Sequence, residues 1–344
     1  MINHAPGRPA GSHRLLRASR LLSAAVLWLV VGREAVGAAE RDGRWAILVA
    51  GVSGDSQLQK QFYDELRTLR DLLVGRLSFP ADQVFVLADD PAREPGLVQV
   101  RSTRDGLERV VRDVASRASK EDQVLIFIEG HGSFDNGTYK LNLVGPDPTG
   151  REMAALFDLI PTDRVVILNA TPCSGGGIAD LSRPGRVVVA ATRSGSEKNR
   201  TRIGSHLIEA FGGAADADHN GRVSILEAYL FARQKVEQYY SAEGNLQTEH
   251  AVLDDDADGL GHDMPGPDNG EGLIARTTYL DRGIPAGART AGQETLARQA
   301  RELERKIEEL RYSKPRMAES EYEKQLEELL VKLAEINGRL RQKP

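Results

Sequence analysis

The chain has 344 residues, with 45 Lys or Arg, 50 Asp or Glu and a formal net charge of −5. Hydrophobic residues make up 40% of it, enough for a folded core, which excludes a disordered or collagen-like protein. No basic patch indicates a nucleic-acid partner.

The first 39 residues predict a secretory signal peptide. Arginines precede the apolar run "LLSAAVLWLVV" at 21–31, and the small residues "AVGAA" at 35–39 follow, as in a leader cleaved near its last alanines. The run is about half the roughly 20 residues that a membrane-spanning helix needs. We therefore expect a periplasmic or extracellular protein without a stable membrane span in the mature chain. A retained anchor is the alternative, because Arg33 and Glu34 interrupt the leader pattern.

Residues 40–261 are predicted to form one α/β domain. Apolar runs typical of buried strands recur at 44–52, 83–89, 123–130, 164–170 and 186–192. Helical stretches lie between them at 57–79, 105–119 and 151–160. This alternation favours a mostly parallel sheet with helices on both faces, which places ligand chemistry at the carboxyl ends of the strands.

Two of those strand ends carry reactive side chains. Cys173 is the only cysteine, so an exported chain could not use it in an internal disulfide, and it is either a small buried residue or a reactive thiol. It follows the strand "RVVILNA", while His131 follows "QVLIFIE". If these strands are neighbours, the thiol meets its proton acceptor at one rim of the sheet. Ordinary residues on glycine-rich turns are the alternative.

These segments resemble the caspase-like cysteine peptidases, and most closely the legumain, or asparaginyl endopeptidase, family. In that family one apolar strand ends in His-Gly and a later one ends in the nucleophilic cysteine, usually followed by Ser-Gly. Here the two segments are "FIEGHGS" and "LNATPCSGG". "WAILVAG" is similar to the family's first strand, and "VVVAATRSGSEKN" to the strand that borders the substrate cleft. The resemblance covers residues 44–235.

The resemblance implies a caspase-like fold and an endopeptidase that hydrolyses peptide bonds through a Cys173/His131 dyad. The thiolate would attack the scissile carbonyl, and the histidine would protonate the leaving amine. The amides of Gly132 and Cys173 would stabilise the oxyanion.

Substrate contacts implied by the resemblance fall on four residues. Thr171 stands where legumains carry an acidic residue two positions before the cysteine. Lys60 is the basic residue nearest to the arginine that legumains use after the first strand. Thr192 and Ser194 lie on the segment that would border the cleft. Because Thr171 is not acidic and Lys60 aligns only loosely with that arginine, a preference for asparagine stays open. Pro172 has a fixed φ and lacks a backbone donor, which would alter the turn that carries the thiol.

The segment "DADHNGRVSILE" at 216–227 fits an EF-hand calcium loop. Its oxygen-bearing side chains stand at the ligand intervals, a glycine stands at position six, and the final glutamate can bind bidentately. The expected ligand positions are Asp216, Asp218, Asn220, Arg222, Ser224 and Glu227. A solvated acidic turn before a helix is the alternative.

A second acidic run, "DDDADG" at 254–259, repeats the first half of that pattern. Asp254, Asp256 and Asp258 match, but the last ligand position falls on Pro265. The run would bind weakly, pair with the first loop or be a polar surface loop. We expect calcium to be structural, since extracellular calcium fills loose sites, and we expect no organic cofactor.

The C-terminal part predicts helices of a different kind. Residues 262–292 are expected to be a loop and linker. From 293 to 342, apolar residues recur every three or four positions on both sides of "SKPR", which predicts an antiparallel helical hairpin. The hairpin could close on itself, dock on the domain or self-associate.

Three functions fit these observations. The first is an exported, calcium-stabilised cysteine endopeptidase that acts on peptides or proteins. The second is a catalytically inactive caspase-like module that binds peptides or proteins through the hairpin. The third, a calcium-stabilised structural protein, would leave the glycine-flanked histidine and cysteine unexplained.

Overall fold

The computed structural model of the protein describes residues 43–282 and 291–341. The predicted signal peptide and part of the predicted linker lie outside these residues. Within them, no helix is both long and apolar enough to span a bilayer.

A central sheet organises the domain. The strands are β1 Arg44–Ala50, β2 Val84–Ala88, β3 Val100–Arg101, β4 Gln123–Glu129, β5 Gly132–Asp135, β6 Thr138–Leu141, β7 Val165–Asn169, β8 Val187–Ala190 and β9 Val252–Asp254. Strands β5 and β6 form a separate antiparallel hairpin, and the others form one sheet in the order β3-β2-β1-β4-β7-β8-β9. All neighbours in that sheet are parallel except β8 and β9. The predicted α/β class with a mostly parallel sheet is confirmed.

Helices follow the strands as the alternating pattern predicted. They are α1 Ser56–Asp71, α2 Arg104–Arg117, α3 Gly150–Phe157, α4 Ile178–Leu181, α5 Ile203–Glu209, α6 Ile225–Ala242, α7 Leu273–Thr277, α8 Ala291–Ser313 and α9 Glu319–Arg341. Local chemistry fixes several starts: the Asp55 carboxylate accepts the amides of Gln57 and Leu58 before α1. Reciprocal Thr149/Glu152 and Ser224/Glu227 capping boxes begin α3 and α6.

The sheet is buried on both faces. Along β1, Leu48 belongs to one apolar cluster whereas its neighbours Ile47 and Val49 belong to the other. Helices α1, α5 and α6 pack into the first cluster, and α2, α3 and α4 into the second. Each fully buried Leu, Ile or Val side chain contributes about 1.5–3 kcal/mol, so these two layers hold the carboxyl ends of the strands in place.

Part of the expected loop and linker is helical. Residues 273–277 form α7, and Ala275 within it and Leu280 after it are buried in the same cluster as α6. The segment before residue 283 therefore belongs to the folded domain, because its sparse apolar residues fill the core rather than a solvated loop.

The two C-terminal helices contact each other across a short turn at Lys314–Arg316. Ile307 and Leu310 of α8 are buried, and α8 also contacts α7. The Tyr312 hydroxyl donates a hydrogen bond of 2.5 Å to the carbonyl of Glu271. Helix α8 is thereby fastened to the segment that precedes α7.

Candidate functional site

Four adjacent parallel strands end at one rim of the sheet. Because β1, β4, β7 and β8 run side by side in one direction, the residues after them lie along the same edge. Ser53, His131, Cys173 and Thr192 follow these strands in that order. Strands β4 and β7 are direct neighbours, so the condition for His131 and Cys173 to share a rim is met.

The segments that carry His131 and Cys173 touch through their backbones. A Cβ on Gly132 would lie 2.3 Å from the carbonyl oxygen of Pro172 and 2.8 Å from Oγ1 of Thr171. Only glycine allows this approach. No hydrogen bond joins Sγ of Cys173 to the imidazole in the described part of the chain. The segments therefore meet, while the two side chains are not hydrogen-bonded to each other.

The imidazole of His131 is held from the side of β1. Its Nε2 lies 3.1 Å from the carbonyl oxygen of Ser53. A carbonyl can only accept, so this bond places the proton on Nε2 and leaves Nδ1 free as a base. The ring also packs edge-on against Phe62, at 6.2 Å between centroids. Ser53 is in turn anchored, since its hydroxyl donates to Asp89 at 3.1 Å.

The thiol of Cys173 is enclosed. The residue is 1% exposed and adopts a left-handed backbone conformation with φ of 61°. Its amide, expected to be an oxyanion donor, instead donates to the carbonyl of Glu197 at 2.9 Å. Burial raises the pKa of the thiol, and the positive charge of Lys198 opposes part of that rise. The resting group is a protonated thiol.

We call residues 171–177 the nucleophile turn. A buried polar network supports it: the Thr171 hydroxyl donates to Oδ1 of Asn169 at 2.8 Å and lies 2.6 Å from the Tyr139 hydroxyl. Burial raises the pKa of Tyr139 to about 12, with the bonds to Thr171 and Asn169 opposing the rise. Thr171 is fully buried. This expected substrate contact is part of the support of the turn.

Thr192 also supports the nucleophile turn. It is fully buried, and its hydroxyl accepts the amide of Gly175 at 2.9 Å and donates to the carbonyl of Ser194 at 3.2 Å. The hydroxyl of Ser194 lies 2.7 Å from that of Ser196. Both expected contacts thus lie beside the cysteine, with Thr192 enclosed and Ser194 partly exposed.

Lys60 lies apart from the dyad. It is exposed on α1 and forms an ion pair with Asp64. It lines a cavity of about 360 Å³ between α1 and α5, whose lining includes neither His131 nor Cys173. The structure does not bring this expected pocket residue together with the nucleophile turn.

The β5–β6 hairpin closes over the nucleophile turn. The ring of Phe134 packs so tightly that a Cβ on Gly176 would lie 2.5 Å from it, and one on Gly195 would lie 2.1 Å from it. Phe134 packs against the apolar cluster that contains Cys173. This contact contributes to the enclosure of the thiol.

Two ionisable pairs beside the rim were missed by sequence reasoning. The carboxyls of Glu129 and Glu65 are buried close enough to influence each other, and burial raises the pKa of both. Nδ1 of His250 lies 2.6 Å from Oε1 of Glu197, the residue whose carbonyl accepts the Cys173 amide. A glutamate at the end of an otherwise apolar strand was the available signal for Glu129. Nothing local indicated a role for His250.

The first acidic loop keeps much of the expected geometry. Asp216, Asp218 and Glu227 each offer an oxygen within 4.8 Å of the others. The amide of Asn220 donates to both aspartates at 3.0 Å. Glu227 also caps α6 by accepting the amide of Ser224 at 2.9 Å. These oxygens could hold a cation, and they are hydrogen-bonded within the loop as well.

Arg222, at the seventh position of that loop, directs its side chain elsewhere. Its Nε donates to Asp281 at 2.7 Å, and its guanidinium stacks 3.7 Å from the centroid of the Tyr279 ring. The side chain therefore fastens the loop to the segment after α7.

The second acidic loop is assembled differently from the sequence pattern. Asp254 and Asp256 lie within 4.8 Å of an oxygen of Glu271, which comes from the expected linker. Asp258, the expected third ligand, instead accepts the amide of Leu260 at 2.7 Å. Burial and the neighbouring aspartates raise the pKa of Glu271 to about 9.

Comparison with known proteins adds no family. No protein-family model matches the chain, and no curated protein matches its sequence.

Proposed function

We propose that the protein is an exported, caspase-like cysteine endopeptidase, with Cys173 as nucleophile and His131 as general acid and base. The observation that supports this best is the contact between Gly132 and Pro172, which joins the two strand ends that carry the dyad. The free Nδ1 of His131 supplies the base. The likeness to legumains supports the same function.

The proposed reaction needs only these groups and water. Nδ1 of His131 takes the Sγ proton, and the thiolate forms a C–S bond with the scissile carbonyl carbon. The imidazolium then protonates the amine as the C–N bond breaks. Water attacks the thioester after giving a proton to His131, the C–S bond breaks, the acid product leaves and the thiol regains its proton.

Access of a peptide to the thiol is the main physical obstacle to this reaction. Because Cys173 is enclosed and its amide is bonded to Glu197, the β5–β6 hairpin and the segment around Glu197 must move before a peptide reaches the thiol. The movement would free the Cys173 amide to join that of Gly132 as an oxyanion donor. The thiol would then be enclosed in the resting protein and would react with peptides whose binding moves these segments.

The test is cleavage of a mixed peptide library by the purified protein. Cys173→Ala and His131→Ala should each lower cleavage by about 10²-fold or more. His206→Ala, which removes an imidazole from α5, is the matched control and should retain activity. Cleavage that survives Cys173→Ala would refute the assignment.

An inactive caspase-like module is the second candidate. It is favoured by the enclosed thiol and by the lack of a hydrogen bond between that thiol and the histidine in the described residues. In this proposal α8 and α9 form an antiparallel helical hairpin that binds a peptide or protein, or a second copy. Slow native alkylation of Cys173 near neutral pH, together with peptide binding that survives Cys173→Ala, would favour it over the enzyme.

We also propose that the 216–227 loop binds structural Ca²⁺. Asp216, Asp218 and Glu227 already converge, and Asn220 and Ser224 lie in the same loop. Calcium should raise the melting temperature of the wild type, and Glu227→Gln should lose part of that rise. The exposed Glu237→Gln, on the same helix, is the control. Equal calcium-induced shifts in both variants would contradict the proposal.

A further inference from the structure

We propose that Asp254, Asp256 and Glu271 form a second calcium site, buried in the domain, in which a glutamate distant in sequence completes the loop that 254–259 begins. We call these three residues the acid cluster. The proposal is independent of the peptidase function and of the first loop.

The acid cluster has the geometry of an oxygen-coordinated cation site. One carboxylate oxygen from each residue lies within 4.8 Å of the others. Calcium binds oxygens at about 2.3–2.6 Å, so oxygens on opposite sides of the ion lie up to about 5 Å apart. The three carboxylates therefore already converge on a volume that fits the ion.

Two of these carboxylates are orphaned in the interior. Asp254 and Glu271 are both 0% exposed, and Oδ2 of Asp254 and Oε1 of Glu271 have no hydrogen-bond partner. Their other oxygens are fixed: Asp254 accepts the hydroxyl of Ser182 at 3.1 Å, and Glu271 accepts the amide of Asp255 at 2.7 Å. Each carboxylate is thus oriented by one oxygen and leaves the other unpaired. Buried polar atoms are rarely left so, unless an ion or water satisfies them.

Within the described part of the chain, no basic side chain compensates the carboxyls of the acid cluster. Among the described residues, no Lys or Arg forms an ion pair with any of its three members. Asp255 is buried beside them, and its carboxylate is occupied by the amides of Gly272 and Ala275 at 2.6 and 2.7 Å. A divalent cation would compensate the ionised carboxylates and satisfy the orphaned oxygens together.

Calcium fits these groups better than other divalent ions. The converging side chains are all carboxylates, which suits hard cations and offers no nitrogen or sulfur to zinc or copper. Magnesium requires a near-ideal octahedron with shorter bonds and keeps several waters, whereas two of these residues are fully buried. The flexible geometry that calcium accepts matches ligands drawn from a strand end, a loop and a distant turn.

The site would tie together segments that the sequence separates. Asp254 ends β9, and Glu271 precedes α7 and accepts the Tyr312 hydroxyl of α8. The other end of β9 follows His250, which is bonded to Glu197 beside Cys173. An ion in the acid cluster would therefore hold the strand that reaches the candidate active rim.

The test is the number of calcium ions bound per chain, measured by calorimetric titration of the purified, chelator-treated protein. Glu271→Gln should lose one bound ion relative to the wild type. Asp256→Asn, at an exposed position, should weaken the affinity for that ion at least tenfold. Asp258→Asn and the exposed Asp268→Asn are matched controls from the same segments and should retain it. Combining Glu271→Gln with Glu227→Gln separates this ion from one in the first loop.

Melting temperatures distinguish a ligand from a merely structural glutamate. With a chelator present, Glu271→Gln should melt no lower than the wild type, because it replaces a buried carboxyl that has one oxygen without a hydrogen-bond partner. With calcium, the wild type should melt higher than the variant. Unchanged calcium stoichiometry in Glu271→Gln and Asp256→Asn would overturn the proposal, as would an equal shift with magnesium. If Asp258→Asn lost the ion while Glu271→Gln kept it, the ion would instead belong to the 254–259 run acting as half of an EF-hand loop.

Discussion

The nucleophile turn and the acid cluster are both buried, yet they use their polar groups in opposite ways. In the turn, the hydroxyls of Thr171 and Thr192 have hydrogen-bond partners within the protein. In the acid cluster, Asp254 and Glu271 each keep one buried oxygen unpaired. Burial alone therefore does not identify a ligand site. The hydrogen bonds of the turn are complete as folded, whereas the site proposed in the acid cluster would be completed by an ion.

The close backbone contact at the turn gives the largest expected effect. Gly132→Ala would place a methyl group 2.3 Å from the Pro172 carbonyl, so the two strand ends must separate. We expect unfolding free energy to fall by about 3 kcal/mol, measured by urea denaturation. Gly75→Ala, where a Cβ meets no atom within 4 Å, should cause no comparable loss. Equal effects in the two variants would show that the contact is not restrictive.

The segment before β9, the strand that lies between the nucleophile turn and the acid cluster, should make the stability of the protein depend on pH. Glu249 precedes β9, and burial raises its pKa from 4.5 to about 7, with bonds from the Arg202 and Ile203 amides opposing the rise. Because the folded state binds this proton more tightly, its contribution is complete below pH 4.5 and is lost as pH rises through 7. Stability should therefore fall by about 3 kcal/mol across that window.

Glu249→Gln removes this titration and should flatten the fall. The measurement is urea denaturation at a series of pH values, with the exposed Glu243→Gln as the control. A slope that persists in Glu249→Gln would assign it to other groups, such as the Glu65/Glu129 pair.

Opening of the turn gives the smallest effect. Phe134→Ala removes the ring packed against Gly176 and Gly195 and should speed native alkylation of Cys173 by about tenfold, or about 1.4 kcal/mol of local opening. Phe231→Ala, on α6, is the control. The reaction is followed by mass spectrometry of the intact protein. Equal alkylation rates in wild type and Phe134→Ala would show that another segment seals the thiol.

Much of the fold could be predicted from the sequence because it depends on local periodicity. The apolar runs and amphipathic stretches correspond to β1, β2, β4, β7 and β8 and to α1, α2 and α3. The order of the strands in the sheet could not be predicted in this way, because it is set by packing across the sheet. The sequence placed His131 and Cys173 at strand ends, and only the β4–β7 pairing makes those ends adjacent.

The details of both sites depend on contacts between distant residues. Thr171 is assigned to the pocket from its position two residues before the cysteine, whereas in the structure it is buried and lies 2.6 Å from the Tyr139 hydroxyl of the β5–β6 hairpin. Glu271 escaped notice because nothing near it forms a ligand pattern, and its partner Asp254 lies on another element. Spacing reveals ligands that share one loop, and it does not reveal ligands that folding brings together.

The left-handed backbone of Cys173 has a further consequence. With φ of 61°, the residue occupies a conformation in which glycine is at ease and any other side chain costs roughly 1–2 kcal/mol. Three of the next four residues are glycines, which adopt such a conformation without this conformational cost. Folding stability alone would therefore favour glycine rather than cysteine at position 173. In the proposed peptidase, this loss of stability would be the cost of keeping a thiol at the rim of the sheet.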